Sequence, residues 1–203
     1  MAAGTRERIL EAACDLIAAD GIDDVRIARV ATRAGVSTAL VHHYFSTREE
    51  LLEEALTHSF ETAGSERFSA ATDPGASAAE RLASAIDACM PHPGSQERDW
   101  VLWVELWLRA ARDAGLRPLA ADLYDRYRAW FAEIIEAGLR IGEFTSDRSA
   151  PEIADFAVAL VDGFGVRAVI HAPRATIAEV RNQVAKRLAA ELGIEAEELG
   201  ATG

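Results

Sequence analysis

Hydroxyl, imidazole and phenol side chains crowd one short stretch of this chain. Ser37, Thr38, His42, His43, Tyr44 and Thr47 follow Arg26, Arg29 and Arg33 and precede Arg48. Residues 25–48 contain no Asp or Glu, in a chain of 203 residues whose formal net charge is −12. Such a set offers positive charge and hydrogen-bond donors, with no carboxylate to act as a base or to hold a nucleophile. Its chemistry is recognition of phosphates and base edges rather than bond making. The acidity of the whole chain excludes a nonspecific polyanion binder, because phosphates are repelled by the remainder of the surface.

Rods must position these groups, and apolar residues recur at helical spacing almost throughout. Residues 5–20 place Ile9, Leu10, Ala13, Leu16 and Ile17 on one face, with Gly21 as the stop. A short helix is expected over 27–33 and another from Ser37 to Tyr44, with Ser37 as N-cap. Gly35 between them accepts a positive φ without steric cost, and Ala31 and Ala34 permit close helix contact. Ile27, Val30, Ala31, Val36, Leu40 and Val41 supply the apolar faces that fix the angle, and Phe45 is core. Two short helices joined at a glycine make a helix-turn-helix, in which the second helix enters the DNA major groove. Tyr44 is divided between phosphate contact and packing. Thr47 to Glu50 reads as a capping box opening a fourth helix that runs to about residue 64.

The rest is helical too. Ser69–Ser77 is a loop, and helices are expected over 78–90, 97–114, 117–142, 149–171 and 175–192. Breaks fall at 91–94, 115–118, 142–147 and Pro173, and the tail after Gly193 should fray. The fold class is therefore all-α: an N-terminal three-helix helix-turn-helix domain over 1–50, then a helical domain over 51–203. No run approaches a membrane span, and the charged amphipathic N-terminus lacks the apolar core of a signal peptide. Cys14 and Cys89 sit in helical patterns and read as reduced core thiols, so a cytoplasmic location is expected.

Enzymatic readings fail on the motifs. The string from Gly163 through Gly165 to Ala168 fits a dinucleotide fingerprint, but no helix fits between it and Pro173 and no strands could build the sheet. HExxH, GxSxG, P-loop and Glu-x-x-His patterns are absent, so neither metal nor cofactor is expected.

Two features of the second part bear on a ligand. Trp100, Trp103, Val104 and Trp107 form one helical stripe, with Glu105, Arg109 and Arg112 opposite; Glu105 and Arg109 read as a solvated pair. The stripe is core or the wall of an effector pocket, and the same choice holds for Tyr124, Tyr127, Phe131 and Ile134. Helix 149–171 is apolar nearly all round, which implies burial on several sides. It carries Asp155 and Asp162 on one stripe, and a carboxylate there needs an Arg partner or a pocket for a cationic or donor-rich effector. Trp103, Trp107, Tyr127, Phe131 and Asp162 are the candidate effector residues.

Residues 5–52 resemble the N-terminal domain of the TetR family. The resemblance rests on Arg33-Ala34-Gly35-Val36-Ser37, His43-Tyr44-Phe45 and Arg48-Glu49-Glu50-Leu51, in order and spacing. The run from Trp100 to Phe144 is similar to BetI-like C-terminal domains of that family. The chain departs from the common pattern at Val25 in place of a hydroxyl cap, Thr38 in place of Lys and His42 in place of Tyr. The resemblance implies a homodimeric regulator, most often a repressor, released from a palindromic double-stranded DNA operator by a small-molecule effector. It places Thr38, Ala39 and His42 against bases, and Ser37, His43, Tyr44, Thr47 and Arg48 on phosphates, with Arg26 and Arg29 at the edge. It makes residues 51–203 a C-terminal effector-binding (ligand-binding) and dimerisation domain, with the dimer interface on the last two long helices, 149–171 and 175–192.

Overall fold

The computed structural model describes residues 4–70, 73, 75–171 and 176–202. Its helices are α1 (Thr5–Asp20), α2 (Ile27–Ala34), α3 (Thr38–Tyr44), α4 (Arg48–Ala70), α5 (Ala78–Ala88), α6 (Ser95–Arg112), α7 (Arg117–Ile141), α8 (Ala150–His171) and α9 (Ile177–Leu192). Single 3₁₀ turns occupy Ile22–Asp24 and Ala196–Leu199, and the described residues contain no strand. The all-α expectation holds. Helix α4 continues past 64 to Ala70. Pro173 and residues 71, 72 and 74 of the expected loop lie outside the described residues.

The chain forms two compact units, Met1–Ala63 with Arg98–Leu123, and Gly64–Glu97 with Tyr124–Gly203. The expected division at residue 50 falls within α4, inside the first unit.

In the first unit α1 packs on α2, and α2 on α3. Ile9, Leu10, Ile17, Val30, Val41, Phe45 and Leu51 lose essentially all solvent contact, each worth roughly 1.5–3 kcal/mol of burial. The turn between α2 and α3 closes because Gly35 takes a left-handed φ of 67° and donates its N–H to the carbonyls of Ala31 and Thr32. Ser37 Oγ accepts from Leu40 N at 3.2 Å, satisfying an otherwise orphaned donor of α3. Thr47 Oγ1 accepts from Glu50 N at 3.0 Å, while Glu50 reaches back one residue further, to Ser46 N at 2.7 Å. Cys14 donates its thiol to the Ala55 carbonyl, and burial pushes its pKa up to about 12, which leaves it a core thiol. Neither cysteine is in a disulfide.

In the second unit Ser77 and Glu80 form the capping box of α5, and Glu143 adds its carboxylate to Ala78 N and Ala79 N at 2.9 and 2.7 Å. Helices α8 and α9 pack together, and Ile153, Ala157 and Val161 of the first and Val184, Leu188 and Leu192 of the second are buried. One expectation is corrected here. The tail does not fray: Leu199 is fully buried, Arg181 donates to Gly200 O, and Asn182 exchanges hydrogen bonds with the Thr202 backbone. One apolar anchor and one amide side chain suffice to order it. Helix α8 is open along one side, where Ala159, Gly163 and Ile170 are exposed, Ile170 by 68%.

Candidate nucleic-acid interface and effector site

Short helix α3 has one row for the core and the remainder for solvent. Val41 is fully buried, whereas Thr38, Ala39, His42, His43 and Tyr44 are exposed. His43 sets its ring edge-on to Tyr44 at 5.3 Å between centroids. Among the described residues no hydrogen bond or ion pair ties down Thr38, His42 or His43. Ser37 and Thr47 are exposed, but their hydroxyls already cap the helices that follow them. The result is a rigid rod with idle donors and a methyl group on its outer face.

The arginines behave differently. Arg26, at the N-cap of α2, is exposed and has no ion pair among the described residues. Arg29 pairs with Asp20 at 2.7 Å, and Arg33 with Asp15 at 2.7 Å, so two positive charges of the island are partly neutralised by α1. Arg48 departs furthest from expectation. Its Nε donates to Val25 O at 2.7 Å, and its terminal nitrogen to Ile22 O at 2.6 Å and Asp23 O at 3.1 Å. The guanidinium, expected on a phosphate, grips the backbone between α1 and α2.

That connection is held from α6 as well. Glu105 accepts from Ile22 N at 3.4 Å, and Arg109 forms an ion pair with Asp23. The expected Glu105–Arg109 pair is therefore replaced by two tertiary contacts. The sequence carried a hint of this in a lone acidic pair, Asp23 and Asp24, just before the basic island. Further along α6, Arg98 donates to Glu11 at 2.8 Å and Asp15 at 3.1 Å. Burial opposes the charge of Arg98, but hydrogen bonds and charge from Glu11 and then Asp15 outweigh it and hold its pKa above the ordinary value. Burial likewise opposes ionisation of Asp15, yet Arg33 and Arg98 together lower its pKa.

The tryptophan stripe is partly core. Trp100 is buried, Trp103 and Trp107 are half-buried, and Val104, expected on the apolar stripe, is 38% exposed. The buried line of α6 also takes in Asp99, Leu102, Leu106 and Ala110, and Asp99 accepts from the Ser59 hydroxyl at 3.1 Å. Trp103 packs edge-on against Phe60 and lines a cleft with Leu56, Ser59, Leu102 and Leu106. The free space there is about 10 Å³, room for one water. Trp107 does not line it.

In the second unit Phe131 is fully buried, with Tyr127 edge-on at 5.5 Å, so Phe131 is core. The two carboxylates of α8 divide the expected options. Asp155 is exposed and takes the arginine, Arg128, at 3.4 Å. Asp162 accepts instead from the Tyr124 hydroxyl at 3.1 Å. Burial raises the pKa of Asp162 to about 6, the Tyr124 hydrogen bond offsetting only part of that cost. Burial, then the Asp162 charge, raises Tyr124 to about 12. Sequence reasoning put Tyr124 on the apolar face and missed its hydroxyl as the partner of Asp162.

Comparison with known proteins now bears on what this geometry serves. Residues 9–55 match the model for bacterial regulatory proteins of the tetR family, and residues 78–193 that for the C-terminal part of BetI-type transcriptional repressors. The chain belongs to the TetR family. Members of the TetR family are transcriptional regulators, not enzymes, and this one is of the BetI type. It is 28% identical over 190 residues to the HTH-type transcriptional regulator BetI of Brucella anthropi, covering 92% of this chain and 94% of that protein. A regulator from Saccharomonospora viridis, solved in complex with choline, is 31% identical, with a TM-score of 0.79 over 88% of this chain and 92% of that one. A TetR-family regulator from Rhodococcus sp. superposes with a TM-score of 0.83 at 26% identity, over 93% and 98% of the two chains. No helix among the described residues is long and apolar enough to cross a membrane.

Proposed function

We propose that this TetR-family regulator is a repressor that binds a palindromic operator as a homodimer and is released by a small cationic effector. The observation that carries the DNA reading is the idle outer face of α3. Thr38, Ala39, His42, His43 and Tyr44 stand exposed on a helix anchored by Val41 and Phe45, and among the described residues no hydrogen bond or ion pair engages Thr38, His42 or His43. Thr38, Ala39 and His42 meet base edges, and Ser37, His43, Tyr44, Thr47 and Arg26 hold the backbone, with Arg29 joining if it leaves Asp20. The open side of α8, with Ala159, Gly163 and Ile170, favours a second copy packing there, since small residues admit close approach and Ile170 gains burial. Symmetry then presents two recognition helices, and adjacent major grooves require them ~34–36 Å apart.

The effector reading rests on Asp162. Its half-buried carboxylate lies beside Tyr124 without a cation among the described residues, an arrangement that a positively charged ligand completes. The choline-bound relative at 31% identity favours the same chemistry. Within the second unit Tyr127 on α7 is a half-buried ring able to shift against a cation, with Phe131 edge-on behind it; in the first unit Trp103 and Trp107 on α6 are half-buried rings of the same kind. The cleft at Trp103 admits only a water, so an effector there must part α4 from α6. Binding that favours the parted state weakens DNA binding by the same factor by which DNA weakens effector binding.

Selection of bound fragments from random duplex DNA tests the first half. A palindrome is expected, and recovery of unrelated or asymmetric fragments contradicts it. Titrating the protein–operator complex with choline tests the second half: release is expected, and unaltered binding together with unaltered tryptophan fluorescence argues against a cationic effector of this kind.

A further inference from the structure

The connection Gly21–Val25 is gripped on both of its hydrogen-bonding sides. Arg48 of α4 takes three of its carbonyls, those of Ile22, Asp23 and Val25. Glu105 of α6 takes the Ile22 amide, and Arg109 of α6 takes the Asp23 carboxylate. Ile22 and Val25 are buried beneath these contacts, at 2% and 1% exposure. The segment leads directly into Arg26, whose carbonyl accepts the first hydrogen bonds of α2, from Arg29 N and Val30 N. Helix α2 in turn sets α3 through the Gly35 turn. Any tilt of this five-residue segment is therefore passed to the DNA-reading helix.

We propose that Arg48, Glu105 and Arg109 are positioning residues that clamp the Gly21–Val25 connection and thereby set the angle at which α3 meets DNA. The proposal rests on the DNA-reading role of α3 and assigns Arg48 inward instead of to a phosphate. A guanidinium fork serves several carbonyls at once; an ammonium presents a point charge and cannot hold the same three. A phosphate, by contrast, is also held by lysine acting as a point charge. Angle matters for a selected operator, whose base edges must be met in register, and much less for arbitrary duplex held through its backbone.

Arg48→Lys separates these roles. Fluorescence anisotropy is measured with the duplex selected by the wild-type protein and with a scrambled duplex, across a salt series, on protein titrated for its active fraction. The clamp predicts a loss of about tenfold on the selected duplex, less than about twofold on the scrambled one, and an unchanged slope of log affinity against log salt. Unaltered affinity on both duplexes overturns the proposal, as does an equal loss on both. Should Arg48→Lys fail to fold, the double variant Glu105→Gln, Arg109→Gln leaves Arg48 in place. It is expected to show the same selective loss, and equal affinities for wild type and double variant on the selected duplex overturn the clamp. If the wild-type protein itself selects no duplex, the DNA-reading role fails before the clamp is tested.

Discussion

Helices α3 and α6 carry dense sets of chemically capable side chains, and they deploy them in opposite directions. On α3, Thr38, His42 and His43 face solvent and have no hydrogen-bond or ion-pair partner among the described residues. On α6, Arg98, Glu105 and Arg109 each reach back to another part of the first unit and find one. A polar group left idle by its own chain costs the fold almost nothing and is available to something outside it. A half-buried polar group already satisfied within the chain acts on shape. Substitutions on α3 should therefore change what the protein binds, while substitutions on α6 change stability and the posture of the helix-turn-helix.

The sharpest way to break that contrast is at two adjacent residues. Phe45→Ala removes a fully buried ring and should cost about 3–5 kcal/mol, read as a lowered urea midpoint. Tyr44→Ala should leave the midpoint within about 0.5 kcal/mol of wild type while weakening binding to all duplexes alike. A stability loss at Tyr44 matching that at Phe45 would make α3 an ordinary core helix.

Next in size is Arg98→Met, which strands Glu11 and Asp15 and should cost roughly 1–3 kcal/mol at neutral pH. The lowered pKa of Asp15 means that its contribution is present above the usual carboxylate range and is lost as pH falls through the depressed value. Wild type should thus lose stability on acidification more steeply than Arg98→Met, and parallel pH profiles from chemical denaturation would contradict the pairing.

Asp162→Asn is the smallest effect and has the opposite sign. With its folded pKa raised to about 6 by burial, the ionised carboxylate opposes folding at neutral pH, and that opposition disappears as pH falls from about 6 toward the unfolded value. The variant keeps an acceptor for Tyr124 and should gain roughly 1–2 kcal/mol at pH 7, the gain shrinking on acidification. Its thermal midpoint should rise by about 2–6 °C at neutral pH, and a fall there would mean that an unseen cation partners Asp162.

Much of this was legible before any coordinates. The helices, the Gly35 turn and the Ser37 cap follow from spacing and from local chemistry that acts within one turn of chain. The exposed face of α3 follows too, since Val41 and Phe45 fix which side is inward. Long-range partners were not legible. Nothing local distinguishes Arg48 on a phosphate from Arg48 on three carbonyls 23 to 26 residues earlier in the chain. Glu105 and Arg109, four apart, have the spacing of a helix-surface pair, and only the tertiary fold brings Ile22 and Asp23 to them. The tail was misjudged for the same reason, because Leu199 and Asn182 find each other's surroundings only after α9 has packed.

The most direct measurement is to repeat the selection from random duplex DNA with Thr38→Ala and His42→Ala beside the wild-type protein. If the outer face of α3 reads bases, each variant still recovers a palindrome, with the preference relaxed at one symmetric position per half-site. Recovery of the unaltered wild-type sequence by both variants would contradict a base-reading role for this helix.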